Sequence, residues 1–146
     1  MTKVLVIYHS QTGNTEKMAK AIAEGARRVS ETKVIFKKAA EATLEDLIGS
    51  SGIAIGSPDY FGYMAGTVKD FFDRTFYPSQ SKVTGKPAVL FASGGEGGKP
   101  ALESLKRICG SFKFKQIGEI AVIGKPPSEE IARCEKLGEK LANAVK

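Results

Sequence analysis

Apolar positions along the chain follow two rhythms. Short unbroken runs alternate with longer stretches in which apolar residues recur every three or four positions. Val4 to Tyr8 (VLVIY) is an unbroken run, the pattern of a strand buried on both faces. Met18, Ile22, Ala26 and Val29, flanked by Ala19 and Ala23, form a helical stripe. Lys33 to Lys37 (KVIFK) reads as a second strand whose charged ends suit a sheet edge. Leu44, Leu47 and Ile48 predict a short helix, and Ile53 to Ile55, between Gly52 and Gly56, a third strand. Val68, Phe71, Phe72 and Thr75 mark the next helix face, Ala88 to Ala92 (AVLFA) a fourth strand, and Leu102, Leu105 and Ile108 a further helix. Ile117 to Ile123 contains the fifth strand. Pro126, Pro127 and Ser128 are the start signal of a closing helix that runs to Val145.

The sum is a strand–helix unit repeated five times. Strands alternating with helices predict an α/β fold with a parallel sheet, right-handed crossovers and helices on both faces. With no linker, repeat or low-complexity tract, residues 1–146 read as one domain, and 146 residues suffice for a proper core. In such a sheet, ligands bind beyond the carboxyl ends of the strands, where the strand order reverses. Three of the loops there are chemically unusual.

The first follows strand one: His9-Ser10-Gln11-Thr12-Gly13-Asn14-Thr15, with a helix opening at once. Ser10 to Thr15 are mostly small donors, and no lysine or arginine lies among them. A helix N-terminus offers free N–H groups and a partial positive charge. With hydroxyl donors added it becomes a cradle for a phosphate group, and Gly13 lets the backbone approach closely. An ordinary helix cap is the competing reading, but a cap needs one Ser, Thr or Asn. Neither the GxxxxGK[ST] phosphate loop nor the GxGxxG dinucleotide fingerprint is present.

At these positions the sequence resembles the flavodoxins. Val6, Ile7, Tyr8, Ser10, Gly13, Thr15, Ala19 and Ile22 fill the required positions of their signature. The resemblance extends over the whole chain. Gly56-Ser57-Pro58-Asp59-Tyr60-Phe61-Gly62-Tyr63-Met64-Ala65-Gly66 is similar to their second flavin loop, especially in the related FMN-dependent quinone reductases, and Ser93-Gly94-Gly95-Glu96-Gly97-Gly98 to the third. The resemblance implies a three-layer sandwich with strand order 2-1-3-4-5 and FMN as cofactor. It implies that Ser10, Gln11, Thr12, Gly13, Asn14 and Thr15 hold the phosphate. Pro58, Asp59, Tyr60, Phe61 and Gly62, with Ser93, Gly94, Gly95, Glu96, Gly97 and Gly98, then flank the isoalloxazine ring. The residues fit independently: three aromatics among glycines offer a wall for a flat ring, although Tyr63 or Met64 could instead fill the core. The glycine-rich third loop lets backbone N–H groups reach ring acceptors.

Charge bears on chemistry and partners. The chain carries 22 basic and 16 acidic residues, net +6, with the excess in the C-terminal half. A basic chain predicts a second flavin reduction step less negative than in acidic relatives, subject to screening over ~10 Å. It also suits an acidic protein partner. Because the positive charges interleave with glutamates along the helices, nucleic acid is not expected as a partner. No apolar run reaches a membrane span and no cleavage-site pattern follows the first strand, so neither a membrane association nor a signal peptide is expected. Cys109 and Cys134 fall in step with apolar stripes and read as core thiols in a reducing cytoplasm. With one histidine, His9, and no CxxC pair, histidine-based zinc sites and four-cysteine clusters are excluded.

Two functions of the same fold remain open. One is an FMN electron carrier working between redox protein partners. The other is an FMN-dependent NAD(P)H:quinone oxidoreductase or flavin reductase acting on small substrates. The quinone reductases carry a long insertion after strand five and place a histidine over the flavin. Here Ile123-Gly124-Lys125-Pro126-Pro127 leads straight to the last helix, and His9 ends strand one beside the phosphate loop. That departure makes their tetrameric assembly an unsafe expectation, and monomer and homodimer both stay open. Electron and hydride chemistry would belong to the flavin, so no catalytic residue is assigned. A non-redox signalling module is a third possibility, but Ser57-Pro58 stand where a response regulator needs its phosphoacceptor aspartate.

Overall fold

The structure is a computed structural model describing residues 1–146. Five strands, β1 (Thr2–Tyr8), β2 (Thr32–Lys38), β3 (Gly52–Pro58), β4 (Pro87–Gly94) and β5 (Lys115–Ile123), alternate with helices α1 (Asn14–Arg27), α2 (Leu44–Gly49), α3 (Gly66–Ser79), α4 (Lys99–Ser111) and α5 (Ser128–Ala144). All neighbouring strands pair parallel in the order β2-β1-β3-β4-β5. The order reverses beside β1, so the crevice above β1 and β3 is the topological switch point.

The two apolar faces of the sheet form two cores. Leu5, Ile7, Ile53, Ile55 and Leu90 point to one face and pack under α2, α3 and α4 with Phe71, Phe72 and Leu105. Val4, Val6, Ala54, Val89 and Phe91 point to the other and pack under α1 and α5 with Met18, Ile22 and Leu141. The alternation along each strand follows from the two-residue period of β structure. KVIFK lies at the sheet edge, as its charged ends predict, and none of its side chains is fully buried. Both cysteines are buried thiols, Cys109 in the first core and Cys134 in the second. Burial raises both, Cys134 to about 12, which leaves them unreactive.

Helices α1 and α5 cross in backbone contact. A Cβ on Gly25 would lie 1.8 Å from the Glu135 carbonyl oxygen, and one on Gly138 would lie 1.9 Å from that of Ile22. Glycine is required at both crossing points. The short helix α2 is held instead by a reciprocal cap. The Asp46 N–H donates to Thr43 Oγ1 (3.1 Å) and the Thr43 N–H to Asp46 Oδ2 (2.9 Å). Element boundaries differ slightly from the sequence reading. The chain leaves α1 at Arg27, so Val29 packs from the following turn, and β5 starts two residues earlier, at Lys115.

Charge is distributed unlike its order in the sequence. Lys3 and Lys33 are register partners on β1 and β2, and Lys115 sits beside Pro87 at the start of β5. The parallel sheet therefore gathers lysines distant in sequence at its amino end. Around the carboxyl ends, Lys17, Lys38, Lys99 and Lys125 are offset by Glu41, Asp59, Glu96 and Glu129. The basic excess lies roughly 25 Å from that end, a strand length at ~3.3 Å per residue. At two Debye lengths or more it is largely screened, so net charge gives no reason for a shifted flavin potential.

Candidate functional site

The loops after β1, β3 and β4 meet at the carboxyl edge of the sheet. The first of them begins α1 without a side-chain cap. Its N-cap is Gly13, left-handed at φ 100°, and no side chain bonds to the first-turn amides. The competing reading, in which a loop hydroxyl or Asn14 caps the helix, is therefore not what the chain does. Ser10 Oγ is taken up by the Gly13 N–H (3.1 Å), which closes the turn. The N–H groups of Asn14, Thr15 and Glu16 have no intrahelical acceptor, and nothing lies within 4 Å of where a Gly13 Cβ would be. The acid of this first turn, Glu16, is engaged elsewhere and accepts from the Tyr8 hydroxyl (2.9 Å). Burial and that glutamate push Tyr8 up to about 12, so it stays a donor. Open donors, a left-handed glycine and free space make a cradle for a compact anion.

Hydrogen bonds lock the three loops to one another. Thr15 is buried, and its hydroxyl pairs with Ser93 Oγ at the end of β4 (2.8 Å). One hydroxyl of that pair donates to the other, and the accepting one keeps its own proton for a third group. The Tyr60 hydroxyl donates to Gln11 Oε1 (2.9 Å), bridging the first two loops. Asp59 is the bracket between the second and third. Its Oδ1 accepts from the Gly62 N–H (2.9 Å) and its Oδ2 from the Ala101 N–H (3.1 Å). The carboxylate thus braces a turn and also serves the uncapped N-terminus of α4, where the helix dipole favours it. The Asp59 N–H in turn donates to Ser93 O (2.8 Å).

Tyr60-Phe61-Gly62-Tyr63 form a tight two-residue hairpin turn. The N–H and C=O groups of Tyr60 and Tyr63 exchange bonds of 2.9 and 3.2 Å, and the central residues have φ 58° and 75°. Positive φ at both central residues is the primed turn of hairpins. It is strained at Phe61, which has a Cβ. The strain holds the Phe61 ring wholly in solvent at the rim, with Tyr63 two-fifths exposed beside it. Tyr60 packs against the core below, while Met64 is buried in it. Met64 therefore fills the core and Tyr63 does not. Between this turn and the third loop lies a cavity of about 400 Å³ lined by Asp59, Gly62, Gly95, Glu96, Gly97 and Pro100. Gly98 has no room for a side chain, since a Cβ would meet Ala92 C at 2.6 Å. Gly95 borders open space. Ile123, exposed at the end of β5, closes the far rim against Gly97.

His9 stands beside the cradle. Its backbone N–H donates to Gly56 O (3.3 Å), and its ring meets that of Tyr60 edge-on at 5.8 Å. Burial and then Lys38 hold it below the ordinary histidine range, so it is neutral at pH 7. No group of three or more His, Cys, Asp or Glu could hold a metal ion. Sequence reasoning missed the Asp59 bracket, the Tyr60–Gln11 bridge and the Thr15–Ser93 pair. Each joins residues from separate loops, and only the strand order brings them together.

Fold and loops define a doubly wound α/β protein with an open, donor-rich cradle at the switch point. The sequence model of the family described as flavodoxin matches residues 6–138. A flavodoxin of Aquifex aeolicus is 39% identical over 99% of this chain and 88% of its own length. A flavodoxin from the domain Archaea superposes with a TM-score of 0.87 at 26% identity, covering 99% of both chains. Two-electron-reduced flavodoxin of Megasphaera elsdenii superposes at 0.81, also with 26% identity, over 96% of this chain and 98% of that one. The chain belongs to the flavodoxin family: it is an FMN-binding electron-transfer protein.

Proposed function

We propose that the Ser10–Thr15 turn holds the FMN phosphate, and that Pro58–Gly62 and Ser93–Gly98 flank the ring, in a carrier serving redox protein partners. The observation that carries this reading is the uncapped start of α1 at a left-handed Gly13. First-turn amides and the Thr12, Asn14 and Thr15 side chains supply neutral donors for a phosphate dianion, and no cation is needed. Asp59 and the strained turn hold Phe61 and Tyr63 at one edge of the 400 Å³ cavity, and at the other Gly95 leaves its backbone N–H open while the Gly97 N–H closes the loop onto Gly94 O (3.1 Å). Bound there, FMN supplies one- and two-electron chemistry that no side chain has to perform.

The residues argue for a carrier over an enzyme. Gly124 to Pro127 link β5 directly to α5 and bring no extra segment over the cavity. The single histidine is held against Tyr60 and the β3 backbone. A carrier of this kind mixed anaerobically with NADPH should keep its oxidised flavin spectrum, and should lose it on mixing with a reduced protein donor. Rapid bleaching by NADPH alone would establish the oxidoreductase reading instead.

A further inference from the structure

At the amino end of the sheet, opposite the nucleotide loops, Lys3, Lys33, Lys82, Lys113 and Lys115 are exposed, and none is in an ion pair. Lys3 and Lys33 are register partners on adjacent strands. Like charges placed so weaken a sheet, and no local partner relieves them. Helix dipoles do not account for the cluster. The effect is confined to the last turn, and among the five helices only α1 has a basic residue there, Arg27, which pairs with Glu24. Glu31, from the α1–β2 turn, faces this end, and Asp73, paired with Lys69, lines the groove between α3 and α4 there.

Apolar exposure has the same polarity. Of the six exposed large apolar side chains, Phe61, Tyr63 and Ile123 rim the nucleotide cavity, and Met1, Ile48 and Tyr77 lie at the amino end. Tyr77, 78% exposed, borders a groove between the ends of α3 and α4 formed with Phe72, Phe76, Ile108 and Phe112. The end face is thus lysine-rich, with apolar side chains and an amphipathic ring standing among the charges.

We propose that this face is a peripheral docking surface for an anionic lipid bilayer, which leaves the nucleotide site pointing away from the membrane. Lysines act on such a surface as point charges, each strengthening attachment about fivefold. Tyr77 and the isolated Ile48 suit the headgroup boundary. A nucleic-acid face would present arginine forks or a helix N-terminus to phosphates and bases. Here the free cations at the strand starts are all lysines, Arg28 is paired with Glu135 and Glu139, Arg107 lies a turn back on the α4 flank, and the helices end on this face rather than begin. No helix is long and apolar enough to cross the bilayer, so attachment is to its surface.

The test is co-sedimentation of the FMN-loaded chain with vesicles of phosphatidylcholine and phosphatidylglycerol at 7:3, with pure phosphatidylcholine as control, in 0.05 and 0.3 M NaCl. The proposal expects binding to the anionic vesicles alone, lost at the higher salt. The triple variant Lys3→Glu, Lys33→Glu and Lys115→Glu should bind about a hundredfold more weakly, with FMN affinity and circular dichroism unchanged. The variant Lys20→Glu, Arg107→Glu and Lys136→Glu makes the same change in net charge on the flanks and should bind at least tenfold more tightly than the first. Equal loss in both variants, no binding at low salt, or displacement by duplex DNA at a phosphate concentration below that of the lipid would each overturn it.

Discussion

Thr12 separates the work of the cradle from the work of the fold. Its side chain is exposed, and its hydroxyl enters no hydrogen bond within the chain. Thr12→Val keeps the shape and removes the donor, so the stability of the apoprotein should change by no more than ~0.5 kcal/mol. In the complex the lost bond is one to a charged group. That is about 1.5–3 kcal/mol, or roughly a ten- to hundredfold rise in the FMN dissociation constant. Riboflavin, which carries the same ring without the phosphate, should bind wild type and variant equally. Titration of apoprotein into each flavin, followed by flavin fluorescence, measures both constants, and urea unfolding measures stability. An unchanged FMN constant would refute the reasoning. So would a parallel loss for riboflavin, because the hydroxyl would then serve the ring or the fold.

Three further predictions test the surrounding structure. Asp59→Ala removes two hydrogen bonds from backbone N–H groups to a carboxylate; the partly exposed site should lower apoprotein stability by about 2 kcal/mol. Riboflavin should then bind more weakly as well, which sets this variant apart from Thr12→Val. Gly138→Ala drives a methyl into the Ile22 carbonyl at the α1–α5 crossing, and overpacking there should cost about 3 kcal/mol, read from the urea midpoint. Lys86 donates to the Leu47 carbonyl, and burial lowers it to about 8, whereas an unfolded lysine titrates near ~10.4. Between those values the unfolded chain binds more protons, so stability should rise with pH from 8 to 10. Lys86→Met should show a flatter profile over that window, and identical slopes would exclude Lys86 as the cause.

The parts of the fold that local pattern controls were legible in the sequence. VLVIY and AVLFA are buried on both faces because parallel strands are covered by helices on both sides, and that burial shows as unbroken apolar runs. The donor-rich turn that opens α1 was legible because its small polar residues are contiguous, from Ser10 to Thr15. The loop of Asp59 marks it as a cofactor residue, and the fold adds a bracing role, with its carboxylate accepting from backbone amides of the second loop and of α4. Nothing near Asp59 in sequence points to Ala101 as its partner. The glycine contact between α1 and α5 was equally silent, since Gly25 and Gly138 look like weak helix positions until the helices cross. Basic residues that interleave with glutamates along the chain gather at one end of the sheet because strand starts share an end, which composition by halves does not reveal.

An uncapped helix start with neutral donors should grip the phosphate dianion without a cation, and a crystal structure of the FMN-loaded chain shows whether it does. The phosphate oxygens should lie about 2.7–3.1 Å from the first-turn amides and the Thr12 and Thr15 hydroxyls, with no lysine or arginine nitrogen within ~4 Å. A phosphate seated on Lys17, or a nucleotide bound away from this turn, would contradict it.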